Sequence, residues 1–304
     1  MKQRLMLCWV LGLLLAFPLA ATSQETTVQS EPLYTQSIKD WRSARHAYLK
    51  QPDGYLSQVG LEWLKQGENR VGSAEGNDIR LSGGPAYWGS VLLSDGHLRF
   101  VRGDDANVMI DGRPMDGAVM IPDSEGDVTT ISAGELSFYV ILRGSFALRI
   151  KDTQSGDLLA FHGVENFPID PSWQINGRVS RADEGATLEI VNVLGQVSDS
   201  PVYGTFEFER GGNSHHLLAL FSEGDKDLWF IFADRSSGHD TYGAGRFLHS
   251  DGMPEDGWLT LDFNKAYNPP CAFSPFSTCP LPPQENRLDL LVTAGEKDFH
   301  ADSE

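Results

Sequence analysis

Beyond residue 90 the chain repeats apolar residues with a period of two. Leu98-Phe100, Leu136-Phe138-Val140, Phe146-Leu148-Ile150, Leu188-Ile190-Val193, Phe206-Phe208, Leu228-Phe230-Phe232 and Leu259-Leu261-Phe263 recur at short intervals. Alternation of this kind puts one row of side chains on each face of an extended strand, so each segment reads as a half-buried β-strand. Clusters of Gly, Asp, Asn and Ser separate them, and 31 glycines and 16 prolines in 304 residues punctuate the chain too often for long helices. The expectation is a mainly β protein. No helical stripe is sustained after residue 50, which argues against a doubly wound parallel sheet and its cofactor site.

One helix is expected upstream. From Ser37, read as its cap, Ile38, Trp41, Ala44, Tyr48 and Leu49 fall on one helical face, and Pro52-Asp53-Gly54 stops it. The polar residues before it read as a flexible lead. Ahead of both, Lys2 and Arg4 precede an apolar run from Leu5 to Phe17, then Pro18 and the small residues Ala20, Ala21 and Ser23. That order reads as a secretory signal peptide, its apolar run short of the roughly 20 residues that span a bilayer. The expected organisation is a signal peptide over 1–23, lead and amphipathic helix over 24–54, a first β-module over 55–151 and a second over 152–304. Export to the periplasm or the external medium follows, with no membrane span after cleavage.

Export bears on the cysteines. After cleavage Cys271 and Cys279 remain, in Asn268-Pro269-Pro270-Cys271-Ala272-Phe273-Ser274-Pro275-Phe276-Ser277-Thr278-Cys279. An even pair this close in an exported chain reads as a disulfide closing a small loop. Free buried thiols are the alternative, and a metal site is disfavoured because no second Cys or His pair lies nearby at finger spacing.

Charge limits the partners. With 42 acidic against 24 basic residues the formal net charge is −18, so nucleic acid, which is bound by neutralising phosphates with Lys and Arg, is excluded as a general partner. Neither a phosphate loop, a Gly-x-Ser-x-Gly elbow nor a His-Glu-x-x-His motif is present, and Gly243-Ala244-Gly245 reads as a turn. No cofactor and no metal are expected.

Residues 55–145 resemble forkhead-associated domains, on Asn69-Arg70-Val71-Gly72-Ser73 with Asn77-Asp78-Ile79-Arg80-Leu81, the strand near Leu98–Val101, Ile110-Asp111-Gly112-Arg113, and Ile131-Ser132-Ala133-Gly134-Glu135-Leu136. The likeness implies a β-sandwich. Its phosphothreonine-binding residues are missing: Ser73 stands after Gly72 where an arginine is expected, no histidine follows Ser90 at the matching distance, and Asp111 takes the asparagine place. An aspartate there repels a dianionic phosphate, so no phosphothreonine peptide is expected.

A second likeness covers residues 38–298. Tyr242-Gly243-Ala244-Gly245-Arg246-Phe247 and Asn268-Pro269-Pro270-Cys271-Ala272-Phe273, with Trp63-Leu64, Leu261-Asp262-Phe263-Asn264 and Ala294-Gly295-Glu296, closely resemble the bacterial family called domain of unknown function 1684. That family supplies no reaction, so chemistry must come from the residues. Asp262 and Asn264 share one side of a strand, opposite Phe263. Tyr267 and Asn268 are stiffened by the prolines that follow, and Arg246 offers a planar fork for a carboxylate, either a ligand's or that of Asp262 or Asp234.

The leading expectation is a non-catalytic protein that binds a small molecule, for instance a small anion, or a protein partner through a pocket of Tyr242, Arg246, Asp262, Asn264, Tyr267 and Asn268. A hydrolase-like enzyme with Asp262 or His162 as general base is the second reading, and a purely structural or assembly role is the third.

Overall fold

The computed structural model describes residues 31–299; the expected signal peptide over 1–23 and most of the lead lie outside them. The first element is helix α1 (Glu31–Leu49), which starts six residues earlier than the expected cap at Ser37. Glu31 and Pro32 suit a first turn, where negative charge meets the exposed amides and proline lacks a proton that would go unbonded. Ser37 lies inside the helix, its hydroxyl donating to the Tyr34 carbonyl at 2.7 Å. The termination before Pro52 is as expected.

Ten strands follow: β1 (Gln58–Trp63), β2 (Gly67–Gly72), β3 (Ile79–Arg80), β4 (Gly89–Ser94), β5 (His97–Arg102), β6 (Met109–Ile110), β7 (Gly117–Val119), β8 (Ile131–Ala133), β9 (Leu136–Arg143) and β10 (Ser145–Asp152). They form two five-stranded sheets, ordered β1-β10-β9-β8-β6 and β3-β2-β4-β5-β7. Between the sheets Trp88, Val91, Phe100, Ile110, Ile131, Phe138, Val140 and Leu148 are shut from solvent, as the alternation requires. A sandwich therefore occupies the segment where one was expected. At its hairpin Asp111 adopts a left-handed φ of 48°, and its carboxylate accepts from the Thr130 amide at 2.8 Å, so the acidic replacement serves the turn.

The rest of the chain builds a second module. After α2 (Gly156–Ala160) come β11 (Gln174–Arg181), β12 (Thr187–Val191), β13 (Val197–Arg210), β14 (Asn213–Leu220), β15 (Trp229–Phe232), β16 (Arg246–His249) and β17 (Trp258–Asp262). Their order is β16-β15-β14-β13-β11-β17, with β12 paired to β13. Period two again sorts the faces: Phe230 and Phe232 join Phe206, Phe208, Leu261 and Phe263 on one side, whereas Ile231 joins Ile190, Leu220 and Phe247 on the other. The proline-rich tail closes both sides, with Leu288, Val292 and Ala294 on the first and Cys279 on the second.

Two features go beyond the sequence reading. The chain leaves the sheet at Asp262 and forms a tight turn over Phe263–Lys265, so Asp262 and Asn264 do not sit on a continuing strand. Helix α1, which precedes the sandwich in sequence, packs on the second module, against the turns at Pro171–Trp173 and Phe263–Lys265.

Candidate functional site

Tyr242, Arg246, Asp262, Asn264, Tyr267 and Asn268 each acquire a partner in the structure. Asp262 caps the turn that follows it, accepting from the Asn264 amide at 3.0 Å. The Tyr34 hydroxyl of α1 donates to the same carboxylate, 2.9 Å from Oδ2 and 3.1 Å from Oδ1. Asn264 Nδ2 reaches Asp262 Oδ1 at 3.0 Å and the Asp170 carbonyl at 2.8 Å, and its Oδ1 accepts from the Asp170 amide at 3.1 Å. All three side chains are buried. Burial pushes the Asp262 carboxyl above the ordinary range, partly offset by its bonds from Asn264 and Tyr34. The Tyr34 phenol is pushed up in turn, by burial and by the neighbouring Asp262 charge. The cluster locks α1 onto the sheet.

Arg246 is locked elsewhere. Gly245, at φ +89°, turns the chain into β16 where a Cβ would lie 2.5 Å from the Phe232 carbonyl oxygen. The guanidinium that follows is 0% exposed. Nη2 pairs with Asp234 at 2.8 Å and reaches the Val292 carbonyl at 3.2 Å, while Nη1 donates to the carbonyls of Ala294 at 2.5 Å and Glu296 at 3.3 Å. Of the carboxylates left open by the sequence, Asp234 is the partner. Burial lowers the Arg246 pKa and the Asp234 charge opposes that shift. Arg246 Nε is buried without a partner among the described residues, but an ion pair whose two terminal nitrogens also meet main-chain oxygens is a structural rivet for the tail.

Tyr242 donates to the Cys271 carbonyl at 3.1 Å, and Cys271 and Cys279 form a disulfide with Cα atoms 6.0 Å apart. His162 is exposed in the loop after α2. Tyr267 and Asn268 hold a different residue of α1, Arg45. The Arg45 guanidinium lies over the Tyr267 ring, 4.6 Å from its centroid, and its Nη2 donates to the Asn268 carbonyl at 2.9 Å. Arg45 Nε meets Glu296 Oε1 at 3.1 Å, and the Asn268 amide donates to Glu296 Oε2 at 2.7 Å. Glu296 is in position because Gly295, at φ +80°, bends the chain where a Cβ would come within 2.4 Å of the Ala266 carbonyl oxygen. Burial raises the Glu296 pKa, and the Arg45 charge counters it.

This second polar knot borders a cavity of about 430 Å3. Trp41, Arg42, Arg45, His46 and Leu49 of α1 form its roof, and Val164, Asn166 and Glu296 form the opposite wall. The walls are joined: Asn166 and Glu296 pair as an antiparallel bridge, and Arg42 Nη2 donates to the Phe167 carbonyl at 2.9 Å. Two buried polar atoms of lining residues have no partner among the described residues, Arg42 Nε and Asn166 Oδ1. Arg45 leaves Nη1 uncommitted after its bonds through Nε and Nη2. Burial lowers the Arg42 pKa, opposed first by Glu296, and a guanidinium remains a cation through any such shift. Arg246 Nε and Asn268 Oδ1, which belong to residues outside the lining, are buried without a partner in the same way, so it is the charge of Arg42 and Arg45 that distinguishes this cavity. A larger hollow of about 540 Å3 lies between the sandwich and the tail, lined by Glu62, Arg80 and Phe276 among others, but none of its lining side chains carries a buried unpartnered atom.

None of Tyr242, Arg246, Asp262, Asn264, Tyr267 and Asn268 lines the 430 Å3 cavity; they form knots on several sides of the tail, and Tyr267 and Asn268 support the cavity from behind. Sequence reasoning missed Trp41, Arg42, Arg45, His46 and Asn166 as site residues. A signal existed in the spacing of Arg42, Arg45, His46 and Leu49, which falls on one helical face. Among the described residues no group of three or more His, Cys, Asp and Glu is placed to hold a metal, and no helix is long and apolar enough to cross a membrane.

The molecule is thus a two-module, mostly antiparallel β-protein with a helix-roofed polar cavity on its second module. It belongs to the family described as "Protein of unknown function (DUF1684)", which matches residues 159–297. That stretch spans the second module and includes Asn166 and Glu296, whereas α1 falls outside it. A solution structure of an uncharacterised protein of Haloarcula marismortui is 32% identical over 45% of this chain and 77% of its own, with a TM-score of 0.38. No curated protein matches.

Proposed function

We propose that this protein is an exported, non-catalytic binding protein that holds a small organic anion in the cavity roofed by α1. The observation that carries this is uncompensated positive charge at a cavity of an acidic chain. In a chain of net charge −18, this cavity is lined by two arginines and one glutamate, and the glutamate is already bonded to Arg45. Arg42 therefore contributes a positive charge with no carboxylate bonded to it among the described residues. Planar donor forks of this kind suit carboxylates. Leu49, Val164 and the Trp41 ring supply apolar wall for the rest of the ligand. The disulfide suits an oxidising compartment and supports export. For Asp262 as a general base there is less support, since Tyr34 and Asn264 already engage both oxygens.

Calorimetric titration with butyrate, isocaproate and benzoate tests the reading. Saturable binding is expected for at least one, with Arg42→Ala weakening it about tenfold or more, equivalent to roughly 1.4 kcal/mol, while the far-UV spectrum is unchanged. Absence of binding by every carboxylate, or full affinity in Arg42→Ala, removes the cavity from consideration as an anion site.

A further inference from the structure

The two outer faces of the sandwich differ. On the sheet β1-β10-β9-β8-β6, Ile141 and Ala147 alternate with the core residues Val140 and Leu148 and so point outward, yet both are shut from solvent. The tail reaches this face, where Arg143 and Arg149 donate to the Thr278 hydroxyl. The outer face of β3-β2-β4-β5-β7 is open. Its registers set two rows of side chains across the strands, Glu68-Leu92-Arg99-Val119 and Arg70-Ser90-Val101-Gly117, on the side away from the buried Val71, Val91 and Phe100. Val101 and Val119 are 39% and 66% exposed, and Ile121, next in the alternation, is exposed as well.

Charge on this face runs against the chain. In a protein of 42 acidic and 24 basic residues, the five strands hold four arginines and one acidic residue, Glu68. Glu68 is engaged by the Ser90 hydroxyl, Arg102 pairs with Asp116, and Arg80 lies 3.9 Å from Glu75. Arg70 and Arg99 are exposed and in no ion pair among the described residues. We infer that this open face docks an extended acidic segment of another protein, one in which carboxylates alternate with aliphatic side chains. Exposed aliphatic residues beside charge mark contact surfaces, and the sign of the charge selects an acidic partner.

Spacing supports the fit. Arg70 and Arg99 lie two strands and one row apart, so their Cα atoms are about 12 Å from each other by ordinary sheet dimensions. An extended segment advances about 13 Å over four residues. Carboxylates at its positions one and five therefore reach both arginines, an aliphatic residue at position three falls beside the half-buried Leu92, and one at position seven falls between Val119 and Ile121. A second copy offering the same face sets arginine against arginine, and one offering its acidic second module makes a head-to-tail contact that does not close. A wide anionic membrane also meets Asp95, Asp104 and Asp105 in the turns at the strand ends, which a narrow segment avoids.

Fluorescence anisotropy of a labelled heptapeptide tests this on the full chain, with glutamate at positions one and five, leucine at three and seven, and serine between. Saturable binding is expected, weakened about tenfold by Arg99→Glu or by glutamine in place of both glutamates. Val119→Ser should weaken it about threefold through one lost aliphatic contact. Both substituted side chains are exposed, and the glutamine peptide requires no variant. Failure to bind, equal binding of a peptide with lysine for glutamate, or undiminished binding by Arg99→Glu overturns the inference. Competition by excess butyrate overturns it too, by moving the peptide to the cavity under α1. So does self-association, or binding to phosphatidylglycerol vesicles, that depends on Arg99 when the peptide does not bind.

Discussion

Arg246 and Arg42 lie on the same module and end in opposite states. Arg246 is shut from solvent and divides its terminal nitrogens among one carboxylate and three main-chain carbonyls of the tail. Arg42 bonds one carbonyl, pairs with no carboxylate among the described residues and lines a cavity. An arginine whose charge is met by a buried carboxylate is a fastening, whereas one that keeps its charge unpaired beside a cavity has it available to a ligand. The lesson is that an orphaned buried atom does not separate the two, since the Nε of each arginine is buried without a partner; the carboxylate on Arg246 and the cavity beside Arg42 do.

The contrast can be broken most decisively at the fastening. Arg246→Ala leaves the buried Asp234 without its cation, and unfolding by urea should show a loss of about 3–5 kcal/mol. A loss below 1 kcal/mol, by the same measure, contradicts the rivet. Opening the Cys271–Cys279 loop with reductant, or with Cys271→Ser, should cost about 2–3 kcal/mol by loop entropy, and mass spectrometry of the purified protein should show a two-proton deficit relative to the reduced form. Tyr34→Phe removes the hydroxyl that donates to Asp262 and accepts from Asn264, and a loss of about 1–2 kcal/mol is expected. Because that bond holds the roof of the cavity, Tyr34→Phe should also weaken carboxylate binding, whereas mutations confined to the sandwich should not.

The smallest effect is a slope. Burial raises the Glu296 pKa in the folded state, so the folded chain holds that proton more tightly than the unfolded one. The stabilisation is complete below the ordinary glutamate value and is lost as pH rises through the folded value. The stability advantage of the unaltered protein over Glu296→Gln should therefore narrow as pH rises through that window, measured by denaturant midpoints. A widening advantage means that the Arg45 charge outweighs burial.

Much of the fold was legible, for definite reasons. Strand alternation at Leu228-Phe230-Phe232 and Leu136-Phe138-Val140 predicted one buried face of each strand, since period two sorts side chains onto two faces; that Ile231 is buried on the opposite face as well was not predicted, because the segments that cover it come from elsewhere in the chain. The disulfide followed from the proximity of Cys271 and Cys279 in an otherwise cysteine-poor chain. The site was less legible. Tyr267 and Asn268 were singled out and do abut it, but they act by holding Arg45 and Glu296. Arg246 was singled out because its planar fork suits a carboxylate, and it does meet one, Asp234, inside the fold. Helix α1 looked like an ordinary amphipathic lead because its polar face faces no partner in its own stretch of sequence.

From residue order alone came the β class, the two modules of alternating strands, the helix near the start, the paired cysteines and the acidic balance. All of these depend on neighbours a few residues apart, or on sums over the chain. Which arginine meets Asp234, which helix face meets Glu296, and where a cavity remains were decided by contacts such as Tyr34 with Asp262, 228 positions away. Those pairings arise only when packing brings the first described helix onto the last module. Whether a polar atom then finds a partner or is left waiting is a property of that assembled neighbourhood, with no counterpart in local pattern.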